Sequence, residues 1–308
     1  MKNPKYIYEV ELEQITPYVN EIDGEGKDIL RPTEFKPRFD KFLIRKYEEA
    51  KKEIPKILLL KVNGENKKEN DKISLGKKGK SFDYSMTITS DDLEYKQREP
   101  YKKFMTSGGD GYQVRKKNIK LKMSFFSLNL KMTEIIKENL AEFLATTNFG
   151  KRKNKCFGSF YISQGDPNYK DIDEIEVLKS YKFFKNGTEN KEYLELKEDN
   201  VEETLKNLEF KAKIKERVVN KALILLRIDG VGRNESLGVM KILKTKDNKY
   251  RLYFIPNFEL IKELIEKDEI DRGKVTNRDT ESVGNPIYEP DVFSYEEFNK
   301  YIKRMKGE

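Results

Sequence analysis

The sequence predicts an α+β fold of two units, the first interrupted by a long basic insertion. Three observations predict it. Tyr6–Ile15, Phe82–Thr89 and Tyr112–Leu130 alternate apolar and polar residues, the period of half-buried strands. Two segments, from Arg31 to about Glu53 and Met132–Thr146, carry apolar residues at helical spacing. Their order along the first half is strand, helix, strand, insertion, strand, helix, strand, which is the order of a ferredoxin-like unit.

Each element has its own signal. Tyr18–Leu30, with Gly24 and Gly26, reads as a loop. Arg31-Pro32-Thr33-Glu34 opens the first helix, with Pro32 in its first turn and Pro37 early enough to be tolerated. Phe35, Phe39, Phe42 and Leu43 give that helix one apolar face. Ile57–Val62 reads as a short buried strand, and residues 63–118 as the insertion, Lys-rich at its start and closing on Gly108-Gly109-Asp110-Gly111. Thr133 is the expected cap of the second helix, with Ile135, Ile136, Leu140, Phe143 and Leu144 as its buried face. The strand Phe157–Ser163 completes a first domain over 1–165. Residues 166–308 read as a second ferredoxin-like or α+β domain. Its strands are Glu174–Phe184, Ala222–Ile228, Leu237–Lys244 and Tyr250–Pro256. Its helices are Val201–Val218, Phe258–Lys267 and Tyr295–Met305.

Composition narrows the chemistry. Of 308 residues, 38% are charged, the net charge is +8, and 49 of the 62 basic residues are Lys. This fits a polyanionic partner, and equally a Lys-rich proteome, so clustering decides more than the sum. The chain has no His and one Cys, Cys156. Ser-His-Asp and Cys-His nucleophile systems, disulfides within the chain and cysteine zinc sites are therefore excluded. Any catalysis must use Asp, Glu, Lys, Tyr or carboxylate-bound magnesium. The start, MKNPKYIYEVELE, has no apolar leader core, and no apolar stretch reaches the roughly 18 residues of a membrane span. A soluble, cytoplasmic protein is expected.

Three basic clusters stand out. The first is FGKRKNKCFG, Phe149–Gly158, with Lys151, Arg152, Lys153 and Lys155 and no acid. A Gly-bounded basic loop between a helix and a strand can lay N–H groups and cations along a sugar-phosphate chain. A surface connection with gatekeeping lysines is the other reading. Phe149 and Phe157 could stack on bases or pack in the core, and core packing fits Phe157 better because it starts a buried strand. The second cluster is Arg31, Thr33, Lys36, Arg38, Lys41 and Arg45 around a helix start, either a phosphate site or a solvated face. The third is Arg115–Lys122, with five cations in eight residues. Alternation puts Arg115 and Lys117 on one face, lining an RNA groove or guarding a sheet edge.

Three motifs in order resemble a known family. They are ITPYV (15–19) with LRPTEFKPRFDKFLIRKY (30–47), GKRKNKCFGSF (150–160), and GRNESLGVMKIL (232–243) with KYRLYFIPN (249–257). The set resembles the RAMP superfamily of CRISPR effector subunits, and within it the first-numbered RAMP subunit of the type III-B (Cmr) complex. The chain departs from the family pattern at several places. Pro37 replaces a Gly, and the arginine that follows falls near Asp40. In the loop Lys155-Cys156 stands for Arg-Gly, and Gly238 stands for a Pro. The resemblance implies RRM-like units, binding of the guide (crRNA) 3′ region or of captured target RNA, and neighbouring RAMP subunits. It also implies phosphate or guide-end contacts by Arg31, Lys36, Arg233 and Lys241, and no cofactor. The backbone subunits of such effectors, which the chain resembles more distantly, cut target RNA with a loop Asp and a divalent metal. Here Asp23 and Asp28 lie in the corresponding loop with Glu21 and Glu25. A metal-dependent endoribonuclease using Asp23 or Asp28 with magnesium is thus the alternative to a non-catalytic role.

Overall fold

The computed structural model describes residues 6–19, 30–60, 81–90, 114–115, 120–150, 153–154, 156–180, 184–186, 189–196 and 238–256. Strand β1 (Ile7–Gln14) leads through β2 (Tyr18–Val19) to helix α1 (Pro32–Glu49). Then follow β3 (Ser85–Thr89), β4 (Val114–Arg115), β5 (Lys120–Phe126), α2 (Leu130–Thr146), β6 (Phe160–Ile162) and the single turn α3 (Glu176–Lys179). The described chain continues with β7 (Phe184–Asn186), β8 (Glu189–Lys191), β9 (Tyr193–Leu196), β10 (Gly238–Lys244) and β11 (Tyr250–Pro256).

The first sheet has the order β3-β5-β1-β6, antiparallel throughout. With α1 and α2 placed between its strands, the strand order matches the β-α-β-β-α-β reading, but the second strand is β3, inside the expected insertion 63–118, and not Ile57–Val62. Alternation drives it. Tyr8, Val10 and Leu12 of β1 and Leu121, Met123 and Phe125 of β5 bury toward the helices. Pro32 at the first helical position, with its ring φ already helical, opens α1. Lys51, at φ 52, ends it. Phe35, Phe39, Phe42 and Leu43 are buried as expected. Phe35 lies 5.1 Å from Phe143 edge-on and 5.4 Å from Phe149 in a stack, and Phe39 lies 4.9 Å from Phe143. Each such aromatic pair adds about 0.5–1.5 kcal/mol beyond its buried area. The ring cluster therefore fixes both helices against the sheet and against the start of the basic loop.

Three expectations are corrected. Over its described residues, 57–60, the expected buried strand Ile57–Val62 does not form. Lys56–Leu58 is a 3-10 turn, only Leu59 bridges to Phe82, and Ile57 is 74% exposed. The cap of α2 is Asn129, whose Oδ1 accepts the Lys131 N–H, while Thr133 is buried inside the helix. Glu174–Phe184 is not one strand. A 3-10 turn, Ile172–Glu174, and α3 occupy its first part, because the Asp171 side chain accepts the Asp173 N–H and starts a turn. The second sheet, β10-β11-β9, is antiparallel and three-stranded. The fold is thus mixed α/β with antiparallel sheets. The expected Ala222–Ile228 strand and the helices Val201–Val218, Phe258–Lys267 and Tyr295–Met305 lie outside the described residues.

The two sheets are joined beside β6. The Met240 N–H donates to the Asn154 carbonyl and the Cys156 N–H donates to the Met240 carbonyl, so residues 154–156 of the basic loop close the free edge of β10. The Ser159 hydroxyl donates to the Ile242 carbonyl at 2.6 Å, and Lys244 pairs with Glu13 at 3.5 Å. Arg251 of β11 pairs with Asp173 and covers the Tyr193 ring at 4.1 Å. No helix among the described residues is long and apolar enough to cross a membrane.

Candidate nucleic-acid interface

Where β1 ends, the three sequence motifs meet. The Thr16 hydroxyl donates to the Cys156 carbonyl at 2.5 Å and accepts the Ser159 N–H at 2.9 Å. The Pro17 carbonyl accepts the Gly158 N–H at 2.8 Å, and the Gly158 carbonyl accepts the Phe149 N–H at 2.9 Å. Asn148 donates from its amide to the carbonyls of Lys153 at 2.7 Å and Met240 at 2.8 Å. The Thr-Pro strand end, the Gly-bounded loop and β10 of the third motif are therefore one hydrogen-bonded knot. The backbone requires its glycines. Gly150 and Gly158 sit at φ 78 and φ 68, in the left-handed region. Cys156, which stands where the resembled family carries Gly, takes φ 67. The departure in sequence has kept the conformation, and the thiol fills the core. Complete burial pushes the Cys156 thiol well above its ordinary pKa, so it is inert as a nucleophile.

The start of α1 faces this knot. Glu34, in its first turn, accepts the Gly150 N–H at 2.7 Å and the Tyr18 hydroxyl at 2.8 Å, and pairs with Arg38 at 3.0 Å. Arg38 also donates to the Asn148 carbonyl at 2.8 Å and lies over the Phe149 ring at 5.5 Å. Burial, and next the nearby Arg38 charge, lower the pKa of Lys153, opposed by Glu34. Burial, and next Glu34, raise that of Tyr18. The β2–β4 pairing sets Arg115 opposite Tyr18, which brings the start of the second basic run to the same end of the sheet.

The candidate residues separate into distinct places. Arg31, half-buried, is the residue before α1, and its carbonyl accepts the Glu34 and Phe35 N–H groups. Thr33 and Lys41 are exposed on α1. Arg45 faces Glu49 at 3.5 Å and covers Phe42 at 5.5 Å. Lys36 turns inward. It pairs with Asp40 at 2.8 Å, donates to the Ser81 hydroxyl and the Phe82 carbonyl, and lies 4.0 Å from the centre of the Tyr84 ring. Its three protons are engaged, so it anchors the chain at Ser81-Phe82 rather than offering a phosphate site. Breaking so enclosed a pair costs about 3 kcal/mol or more. Lys241 is fully buried and donates to the Thr147 carbonyl at 2.7 Å and the Phe160 carbonyl at 3.3 Å. The expectation of RNA contact at Lys36 and Lys241 gives way to these internal roles. Phe149 and Phe157 are both 0% exposed, which leaves neither ring for a base. Asp23, Asp28, Lys117, Lys151, Arg152, Lys155 and Arg233 lie outside the described residues. Sequence reasoning missed Glu34 and Asn148. Both abut motifs that it had singled out, but an acid next to basic residues carries no signal of its own.

Lys241 gives a testable linkage. Desolvation lowers its pKa well below the ordinary 10.5. The unfolded chain therefore binds more protons between the depressed value and 10.5, so folding stability rises with pH across that interval. In equilibrium denaturation, wild-type protein should gain stability relative to Lys241→Met as the pH climbs through this range. Parallel profiles would contradict the assignment.

The open face of the first sheet carries the 44% exposed ring of Phe126 at one end and is otherwise mostly charged. It presents Glu9, Glu11 and Glu13 of β1 beside Lys120, Lys122 and Ser124 of β5. Lys120 pairs with Glu11 at 2.8 Å and Lys122 with Glu9 at 3.8 Å. The later half of the second basic run is thereby matched by acids. Tyr161, on the β6 side, is buried and donates its hydroxyl to the Lys170 carbonyl. Asp166 and Asn168 extend this cover, with Asp166 accepting the Glu11 N–H at 2.7 Å and Asn168 donating to the Glu9 carbonyl at 3.4 Å, beyond the reach of short β6.

Residues 5–216 match the family model described as the Cmr1 N-terminal domain. No curated protein matches the chain.

Proposed function

The chain belongs to the Cmr1 family, RAMP subunits of type III-B CRISPR effectors, and from that premise we propose that it is a non-catalytic, RNA-binding subunit of such a ribonucleoprotein. It holds the guide 3′ region, captured target RNA or both, in antiviral defence, beside other RAMP subunits and away from any membrane. One observation carries the reading. The Gly-bounded loop, the start of α1 and β4 converge at one end of the sheet, and the loop segments on both sides of Lys151-Arg152 are held by hydrogen bonds. Flanks already held by hydrogen bonds lose little ordering entropy when a phosphate chain binds between them. The loop contacts backbone, not bases, so no sequence preference is expected of it. The RNA-facing set is then Arg31, Arg38, Arg115, Lys117 and the loop cations Lys151, Arg152, Lys153 and Lys155, with Arg233 of the third motif.

The test is to purify the chain from its host at low salt and sequence what accompanies it. Short RNAs sharing a repeat-derived tag, together with other RAMP proteins, are expected. An RNA-free chain without those partners contradicts the proposal.

A further inference from the structure

The two sides of the basic loop are anchored differently. Residues 153–158 are tied to Thr16, Pro17, Asn148 and β10 by several hydrogen bonds. At the other side, the hydrogen bond described for the Gly150 N–H goes to one group, the Glu34 carboxylate, at 2.7 Å. Glu34 is itself fixed. It stands in the first turn of α1, its other oxygen accepts the Tyr18 hydroxyl at 2.8 Å, and Arg38 pairs with it at 3.0 Å. Tyr18 in turn packs edge-on against Phe160 at 5.7 Å, so the carboxylate is referenced to the sheet as well as to the helix.

We propose that Glu34 is a positioning residue for RNA, holding the Gly150 backbone at the start of the basic loop beside the α1 cations Arg31 and Arg38. The role rests on the RNA-binding reading above. It predicts an effect opposite in sign to simple electrostatics. An acid beside Arg31, Arg38 and Lys153 lowers the local positive potential, so its removal alone would tighten binding to a polyanion. If Glu34 sets the start of the loop, its removal frees Gly150, which must then be ordered on binding, and affinity falls. Reach matters as well as charge. Aspartate keeps the charge but is one methylene shorter. Glutamine loses the charge but keeps an oxygen for the Gly150 N–H.

The experiment uses the full chain and a short single-stranded RNA carrying the repeat-derived tag, with affinity read by fluorescence anisotropy over a salt series. Glu34→Ala and Glu34→Asp should each weaken binding about tenfold, while Glu34→Gln stays within about twofold of wild type. Hydrogen exchange at Gly150 should quicken in the Ala and Asp variants and stay slow in the Gln variant. Should Glu34→Ala fail to fold, the Asp and Gln pair carries the comparison. Equal or tighter binding by the Asp variant with Gly150 unprotected would overturn the positioning role and leave the RNA reading standing. Wild-type protein that binds no RNA would overturn both, and the wild-type control alone tells that failure from the first.

Discussion

Replacing Lys151, Arg152 and Lys155 together with Glu should weaken RNA binding by at least about a hundredfold, the loss of some three phosphate contacts. The salt dependence should change with it. Each phosphate contact on a single strand contributes roughly 0.7 to the slope of log affinity against log salt, so the slope should become shallower by about 2. Lys153 is left in place deliberately. Its side chain is half-buried beside Glu34 and Arg38, and its carbonyl accepts from Asn148, so reversing its charge would disturb the knot as well as the ligand. The triple variant should unfold at the wild-type midpoint. An unchanged slope would mean that these cations face solvent and not RNA.

Gly158→Ala should be the most damaging single methyl group in the described chain. The residue sits at φ 68, a conformation that costs an L-residue about 1–2 kcal/mol. A Cβ there would lie 1.9 Å from the Phe149 carbonyl oxygen. Phe149 cannot retreat, because its ring is stacked on Phe35 and meets Phe143 and Phe160 edge-on. The expected loss exceeds about 2 kcal/mol, and thermal unfolding should shift down by roughly 3 °C or more. RNA affinity should fall with it, since Gly158 joins Pro17 to the loop. Gly165→Ala is the matched control. An added Cβ there meets nothing within 4 Å, and its midpoint should barely move. Equal shifts for the two variants would contradict the argument.

The strands and helices that alternate or repeat cleanly were legible from sequence. β1, β5 and both long helices bury the side chains that their periods select, and β10 and β11 are buried almost throughout. The failures occurred where a short apolar run carried no period. Ile57-Leu58-Leu59-Leu60 reads as a buried strand, yet Ile57 and Leu60 are exposed and only Leu58 is buried. At the candidate site, composition located the loop but could not rank its cations. Lys36 and Lys241 look like Arg38 in a one-dimensional count. Burial separates them, because Ser81 and the Phe82 carbonyl reach Lys36 across the fold and β10 threads Lys241 beneath the loop. Such long-range partners are invisible to spacing.

Under the proposed function, RNA lies at the loop end of the first unit and not on its open sheet face. Photocrosslinking of the assembled ribonucleoprotein, followed by mass spectrometry of the crosslinked peptides, tests this most directly. Crosslinks in residues 31–38 and 150–155 are the predicted result. Crosslinks confined to the Glu9, Glu11, Lys120 and Lys122 face, with residues 150–155 untouched, would contradict it.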